Sequence, residues 1–375
     1  MTMKRLLCIF LILVNVVIAG ACSSPNGATN SAKRDYWPTQ GWKTSTPEIQ
    51  NIDSAKLQDA MKAIDNAGVS IDAAVIVRHG YVVLEENLNP DLYDLDSLHT
   101  VHSITKSVTS ALIGIAIKEG FIKSVDQKII DFFPELTIDN LDDWKRSMTI
   151  ENVLTMTSGL LWDETSYPYT DPRNSLVQAT ISPNFVQFVL NLPMASEPGI
   201  QMVYNTGSMQ LLTAIITRTT GLKVEDFARK YLFSPIGISN FIWSADSQGI
   251  NYGGGQLLLS PMDMAKFGYL YLNNGLWDGK QIVPTDWVVK STSPNTMNFT
   301  IGALGGYGYL WWLKPKDFLS DNYYYAGGLY GQRIYVLPKL DMIVVFTLPN
   351  RNQQTEAFLN ALLYPFIAAC KDVPK

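Results

Sequence analysis

Histidine and cysteine are scarce, at three residues each in a chain of 375. His79, His99 and His102 form no His-Glu-x-x-His pair, and the cysteines have no paired spacing. Neither a zinc site nor a disulfide framework therefore has the side chains it needs. No Gly-x-Ser-x-Gly occurs, which removes the strained strand-to-helix elbow of one large class of serine enzymes. Charge is thin at 17% of residues and leans acidic, with 29 Lys and Arg against 34 Asp and Glu. Without a basic run interleaved with aromatics, nucleic acid is not expected as a partner. There is no internal repeat, and the one long apolar run, Leu6 to Ile18, is interrupted by Asn15 and short for a membrane span. What is abundant is apolar side chain, 47% of the sequence, enough to bury a large core.

The N-terminus has the layout of an export signal over residues 1–21: Lys4-Arg5, the apolar run, then Ala19-Gly20-Ala21. Removing it takes Lys4 and Arg5 from the basic count and leaves 27 against 34 acidic residues. The small triplet directly before Cys22 resembles a bacterial lipoprotein signal, in which that cysteine is lipidated and becomes the first residue. Ordinary cleavage or an uncleaved anchor are the alternatives. Lipidation implies an exported protein held at the cell or outer membrane by its acyl chains, with its body outside the cytoplasm. Cys8 then leaves with the leader, Cys22 carries lipid, and Cys370 stays as a small buried hydrophobe with no disulfide partner.

Residues 22–47 are rich in Ser, Asn, Thr, Pro and Gly and read as a flexible tether, with Trp37 and Trp42 able to dock. The body is expected over 48–375. Leu57, Ala60, Met61 and Ile64 repeat at helical spacing between Ser54 and Asn66, closed by Gly68. Ala73–Val77 and Tyr81–Leu84 are short β-branched runs joined through Arg78-His79-Gly80, a hairpin. Near the other end Tyr309–Leu313, Tyr323–Ala326, Arg333–Leu337 and Met342–Leu348 read as strands, followed by a helix from about Gln353 to Cys370. Between roughly 100 and 300 the texture is helical, including Pro183–Leu192, Ser208–Thr219 and Pro261–Leu272. The expected fold is α+β: one antiparallel sheet assembled from both chain ends, flanked by helices, with an inserted helical lobe and a cleft between the two parts.

Ser103 and Lys106 open a helix running to about Lys118. At a spacing of three they face the same way, while Ile104, Val108, Ala111, Leu112 and Ile115 fall on another side. A hydroxyl is a poor nucleophile at neutral pH, but an amine one turn away can take its proton if burial keeps that amine neutral. The helix start adds partial positive charge where an alkoxide develops. His102 does not complete a histidine-assisted pair, because neighbours on a helix point about 100° apart. Asp163-Glu164 either lines the cleft, ready for an amine-bearing substrate, or caps a loop. Gly253-Gly254-Gly255 lacks the strand-to-helix setting of a nucleotide loop and reads as loop flexibility.

The continuation Ser107-Val108-Thr109-Ser110-Ala111-Leu112-Ile113-Gly114 resembles the serine β-lactamase and penicillin-binding-protein superfamily, in particular the branch related to class C β-lactamases that includes esterases, D-amino-acid peptidases and 6-aminohexanoate-dimer hydrolases. The resemblance runs from about Pro47 to Phe366. It is carried further by Leu154-Thr155-Met156-Thr157-Ser158-Gly159-Leu160, Pro198-Gly199 with Tyr204-Asn205-Thr206-Gly207, Ser260 to Ala265 with Gly275-Leu276-Trp277, and Tyr307 to Trp312. It implies a β-lactamase/transpeptidase-like fold, acylation of Ser103, proton relay by Lys106, and Tyr204 as general base. No cofactor is implied. Thr206 stands where Tyr-x-Asn is usual, and Tyr325-Ala326-Gly327 lacks the Lys or His common at the third motif. That absence points away from β-lactamase or D,D-peptidase activity and toward a serine hydrolase of esters or amides, small-molecule or peptide-like. A sensory lipoprotein that acylates without turnover is the other class. The backbone N–H groups of Ser103 and Gly328 are the expected oxyanion hole.

Overall fold

Asp53 starts the first helix: its carboxylate accepts from the N–H groups of Ala55 and Lys56. From there α1 (Ser54–Asn66) turns Leu57, Ala60 and Ile64 onto one buried face. The hairpin follows as β1 (Ala73–Arg78) and β2 (Tyr81–Asn87). His79 and Gly80 both lie at positive φ, 51° and 88°, the two-residue turn whose twist suits adjoining antiparallel strands. The computed structural model describes residues 34–66, 70–91, 93–294, 305–314, 323–349 and 356–372. The leader 1–21 and Cys22 lie outside them.

The middle of the chain runs β3 (His99–Thr100), α2 (Ile104–Lys118), α3 (Asp143–Ser147), α4 (Ile150–Leu154), α5 (Ser175–Ile181), α6 (Phe185–Asn191), α7 (Ser208–Thr220) and α8 (Val224–Ala228). It continues with β4 (Ile242–Trp243), β5 (Leu257–Leu259), α9 (Pro261–Leu272), the small hairpin β6 (Leu276–Trp277) and β7 (Lys280–Gln281), and α10 (Thr285–Ser291). The C-terminal part supplies β8 (Gly306–Tyr307), β9 (Trp312–Lys314), β10 (Tyr323–Gly327), β11 (Arg333–Leu337), β12 (Met342–Thr347) and α11 (Glu356–Ala369).

Strands from the two ends form one sheet of seven in the order β2-β1-β12-β11-β10-β9-β8, antiparallel throughout. Side chains alternate across it with period two. Ala74, Ile76, Val344 and Phe346 point to the core beneath α1 and α11, while Val75, Val77, Ile343 and Val345 point to the larger core that holds α2, α7 and α9. With both faces covered, β1 and β12 are buried along their whole length. The helical lobe between the sheet-forming ends is as expected, apart from the short strands β3, β5 and β4, which form a sheet of three, and the hairpin β6-β7.

Two expectations need correction. The strand expected over Tyr309–Leu313 begins only at Trp312: Tyr309 to Trp311 turn the chain between β8 and β9, with Leu310 at φ 63°. The aromatics there are all buried, which gives a strand-like pattern, but the Ser107 hydroxyl donates to the Leu310 carbonyl at 2.7 Å and holds the turn. Of the segment read as a tether, residues 34–47 are bound to the body. Arg34 donates two hydrogen bonds to Asp341 at 2.6 and 2.7 Å, Trp37 packs on Tyr269 and Trp277, and the Trp42 indole N–H donates to the Met262 carbonyl. Helix α2 is buried from Ile104 to Ala116, its polar side included. The Lys106 amine and the hydroxyls of Ser107 and Thr109 are spent on hydrogen bonds to neighbouring groups.

Candidate active site

Ser103 occupies the N-cap position of α2, directly after His102, which sits in the left-handed region at φ 50°. A non-glycine residue there is held by its surroundings: the His102 carbonyl accepts from both the N–H and the hydroxyl of Thr105, and its ring packs edge-on against Tyr330. The imidazole is thus part of the wall, while Ser103 is left half-buried at the start of the helix.

One turn on, Lys106 points back along α2. Its Nζ donates to Ser103 Oγ at 2.8 Å and to the Gly254 carbonyl at 3.0 Å, and lies 4.7 Å from the centre of the Tyr204 ring. Only 1% of Lys106 is exposed. Burial pulls its pKa down from 10.5 to about 8, against the opposing charge of Glu164. A buried cation is costly unless paired, so the proton is lost about two pH units earlier than from an exposed lysine, and the neutral amine predominates above about pH 8.

Tyr204 arrives from a separate stretch just before α7. Its neighbours fix the backbone: Val203 N–H donates to the Met156 carbonyl at 2.8 Å, Ser208 N–H to Asn205 Oδ1 at 2.9 Å. The phenol hydrogen-bonds the Ser103 side chain. Burial drives its pKa up, Glu164 adds to this, and the Ser103 hydrogen bond and the Arg333 charge oppose it. The hydroxyl, the amine and the phenol, expected together from two remote segments, are in mutual reach.

Glu164 is 2% exposed and surrounded by donors. It accepts from Trp162 Nε1 at 2.6 Å, Thr206 N–H at 2.7 Å, Thr206 Oγ1 at 2.7 Å and Tyr169 OH at 3.2 Å. Asp163, by contrast, caps its own loop through the N–H groups of Thr165 and Ser166. The adjacent acidic pair therefore splits into one loop cap and one residue of the site.

Gly253 and Gly254 are not a flexible loop but a tight crossing, whereas a Cβ on Gly255 would meet open space. A Cβ on Gly253 would lie 2.3 Å from the Met209 carbonyl oxygen, and one on Gly254 would lie 2.6 Å from Thr206 Cγ2. The carbonyls of Gly253 and Gly254 accept from Thr109 and Lys106. Backbone at this depth can reach the lysine only because side chains are absent.

Gly328 is where the structure departs from the expected oxyanion hole. Its N–H donates to the Gln332 carbonyl at 2.8 Å, because the β10–β11 pairing continues one residue past Gly327↔Arg333. It is not free for a substrate. The residue still brings the strand end close, since a Cβ there would lie 2.3 Å from the carbonyl oxygen of Val101, two residues before Ser103. Gly328 is extended (φ −117°, ψ 159°), so the next N–H, on Leu329, faces the opposite way from the ladder.

The remaining wall is aromatic. Trp312 lies nearly parallel to Tyr204 (20°, 6.1 Å) and to Tyr325 (15°, 6.3 Å), with Tyr307 set edge-on against it. Behind Tyr325 the Arg333 guanidinium stands 5.4 Å from the ring centre and donates from Nη1 to the carbonyls of Gly328 and Gln332. In the sequence Trp312 figures only within the run Tyr307 to Trp312 and Arg333 only as the start of a strand, neither as a site residue. The paired strands β9, β10 and β11 bring them together, and only the register reveals that.

The family model described as Beta-lactamase matches residues 55–364. The chain is 23% identical over 291 residues to the 6-aminohexanoate-dimer hydrolase of Paenarthrobacter ureafaciens, covering 72% of this chain and 71% of that protein. It is 27% identical over 164 residues to the lovastatin esterase of Penicillium rubens, covering 39% of each. Among solved structures it is similar to EstCE1, a hydrolase with promiscuous acyltransferase activity, with a TM-score of 0.68 and 16% identity over 85% of this chain and 98% of that one.

Proposed function

The chain belongs to the beta-lactamase family, and on that footing we propose that Ser103, Lys106 and Tyr204 form the centre of a serine hydrolase working through an acyl-enzyme on esters or amides. The observation that carries this is the 2.8 Å hydrogen bond from a fully buried lysine to a half-buried serine at a helix start. Lys106, neutral near and above pH 8, takes the proton from Ser103 Oγ as Oγ bonds the substrate carbonyl carbon. The negative oxygen is met by the N–H groups of Ser103 and Leu329, the latter replacing Gly328 for the reason of direction given above. The proton passes through the Tyr204 hydroxyl to the departing alcohol or amine as its bond to carbon breaks. Water then repeats the sequence, giving its proton to the same pair and releasing the acid and free Ser103.

The division of labour differs from the one the resemblance implies. Burial and Glu164 both favour the protonated phenol, so Tyr204 conducts a proton and Lys106 is the base. The parallel rings of Tyr204, Trp312 and Tyr325 suit a flat or apolar, uncharged acyl group. Turnover of β-lactams is the second reading, favoured by Arg333, which sets a cation opposite Gly327 where Tyr325 provides none.

A fluorophosphonate should label the wild type, which should also hydrolyse a nitrophenyl ester with many turnovers; Ser103→Ala should do neither. Labelling without turnover would make the protein a sensor, and a labelled Ser103→Ala variant would sink the assignment. A chromogenic cephalosporin separates the β-lactam reading. Export with lipid on Cys22 belongs to the same proposal and rests on the sequence of residues 1–22. Labelled palmitate should enter the wild type and not Cys22→Ala, and equal labelling would refute it.

A further inference from the structure

Thr206 occupies the place where an amide is usual, and its hydroxyl does not face the cleft. Both of its donors, Oγ1 and the backbone N–H, go to Glu164 at 2.7 Å. The same carboxylate is fixed from behind by Trp162 Nε1, and the Trp162 ring presses on the next residue: a Cβ on Gly207 would lie 2.4 Å from Trp162 Cη2. The strip Trp162 to Glu164 therefore clamps the backbone immediately after Tyr204.

We propose that Glu164 is a positioning residue for the Lys106 and Tyr204 pair: its buried carboxylate holds the Tyr204-Asn205-Thr206 segment, and its negative charge steadies the Lys106 ammonium. This rests on the reading of Lys106 as the base. Four donors converge on a carboxylate that is almost wholly buried, far more anchoring than a loop cap requires. The anion offsets the cost of burying the ammonium, and so works against the burial that lowers the Lys106 pKa. The other groups sharing this space are the phenols of Tyr169, Tyr204 and Tyr307, each held protonated more firmly by the same charge. The guanidinium of Arg333 acts on Tyr204 with the opposite sign. Thr206 in place of an amide is then no loss, because its duty is to bind Glu164 and not the substrate.

The sign is fixed by charge. Removing the anion makes the ammonium less stable, so the amine becomes neutral at lower pH, and a weaker base is also a slower one. The test is the rate of Ser103 labelling by a fluorophosphonate as a function of pH. The wild type should rise with a midpoint around pH 8 to a plateau above it. In Glu164→Gln the rising limb should move down by about one pH unit and the plateau should fall about tenfold. Thr206→Val, which keeps the charge and loses one anchor, should lower the plateau with the limb in place. A Glu164→Gln limb at the wild-type pH, however low its plateau, would reduce Glu164 to a structural role and overturn the proposal. If near-ultraviolet circular dichroism shows that variant unfolded, Glu164→Asp decides: a limb at the wild-type pH supports the proposal, and one displaced downward overturns it. A wild type whose labelling ignores pH would sink the Lys106 reading itself, and this proposal with it.

Discussion

Lys106 is the residue on which chemistry and stability pull in opposite directions. Its pKa falls from 10.5 in the unfolded chain to about 8 in the fold. Between those values the unfolded chain binds a proton that the native protein does not, so stability rises with pH across that window and the full cost of burial is felt below it. The shift corresponds to about 3 kcal/mol, part of which the bonds to Ser103 and Gly254 return. Lys106→Met should therefore abolish ester hydrolysis yet stabilise the fold by about 2 kcal/mol at pH 7, with the gain vanishing above pH 10. Denaturant melts at the two pH values check it, and a variant less stable than wild type at pH 7 would show that those bonds outweigh desolvation. At this scale the sequence was readable where a residue works through its own helix, as Ser103 and Lys106 do. It was not readable for Trp312 or Arg333, whose relevance depends on which strand lies next to which. Gly328 failed for a related reason: a glycine-rich strand end announces close approach, but the direction of one N–H is decided by the ladder it joins.

Among the elements, α2 and α7 are pinned by a stretch with no secondary structure of its own. The Gly253 and Gly254 carbonyls take hydrogen bonds from α2, and both residues touch the start of α7 closely. Gly253→Ala would drive a methyl into the Met209 carbonyl oxygen, a backbone atom that cannot step aside. The expected cost is about 2 kcal/mol or more, read as a lower midpoint in thermal melts together with reduced labelling of Ser103. An unchanged midpoint would mean the crossing is looser than its distances imply. Periodicity located α1 and α9 at their observed ends and α7 within one residue. It misplaced the strand at Tyr309 because buried aromatics in a turn look the same as buried aromatics in a strand. The side that Ser103 and Lys106 share on α2 was legible from the spacing, while what covers that side was not.

For the molecule as a whole, the first described residues are a strap. Arg34 reaches Asp341 and Asn273, Tyr36 reaches the Gly80 carbonyl, and Lys43 and Ser45 bond the exposed edge of β2 at Val82. A chain beginning at Thr46 should lose about 2–4 kcal/mol relative to one beginning at Arg34, measured as a lower melting midpoint. Equal midpoints would show that Trp37 and Trp42 add nothing by docking. Composition suggested a flexible tether here because small polar residues dominate the stretch; the docking expected to be open to Trp37 and Trp42 takes place, and Arg34 adds to it.

The sheet, too, is closed by pieces of chain made at very different times. β1 has β2 on one side and β12, from the far end, on the other, and α1 packs beside α11 while Lys371 N–H donates to the Asn51 carbonyl. A nascent chain halted before Met342 would leave β1 bare along one edge, a template for sticking to other unfinished copies. Premature termination near the 3′ end of the message would thus cost more than a missing tail: it would yield aggregates in place of a slightly shortened enzyme.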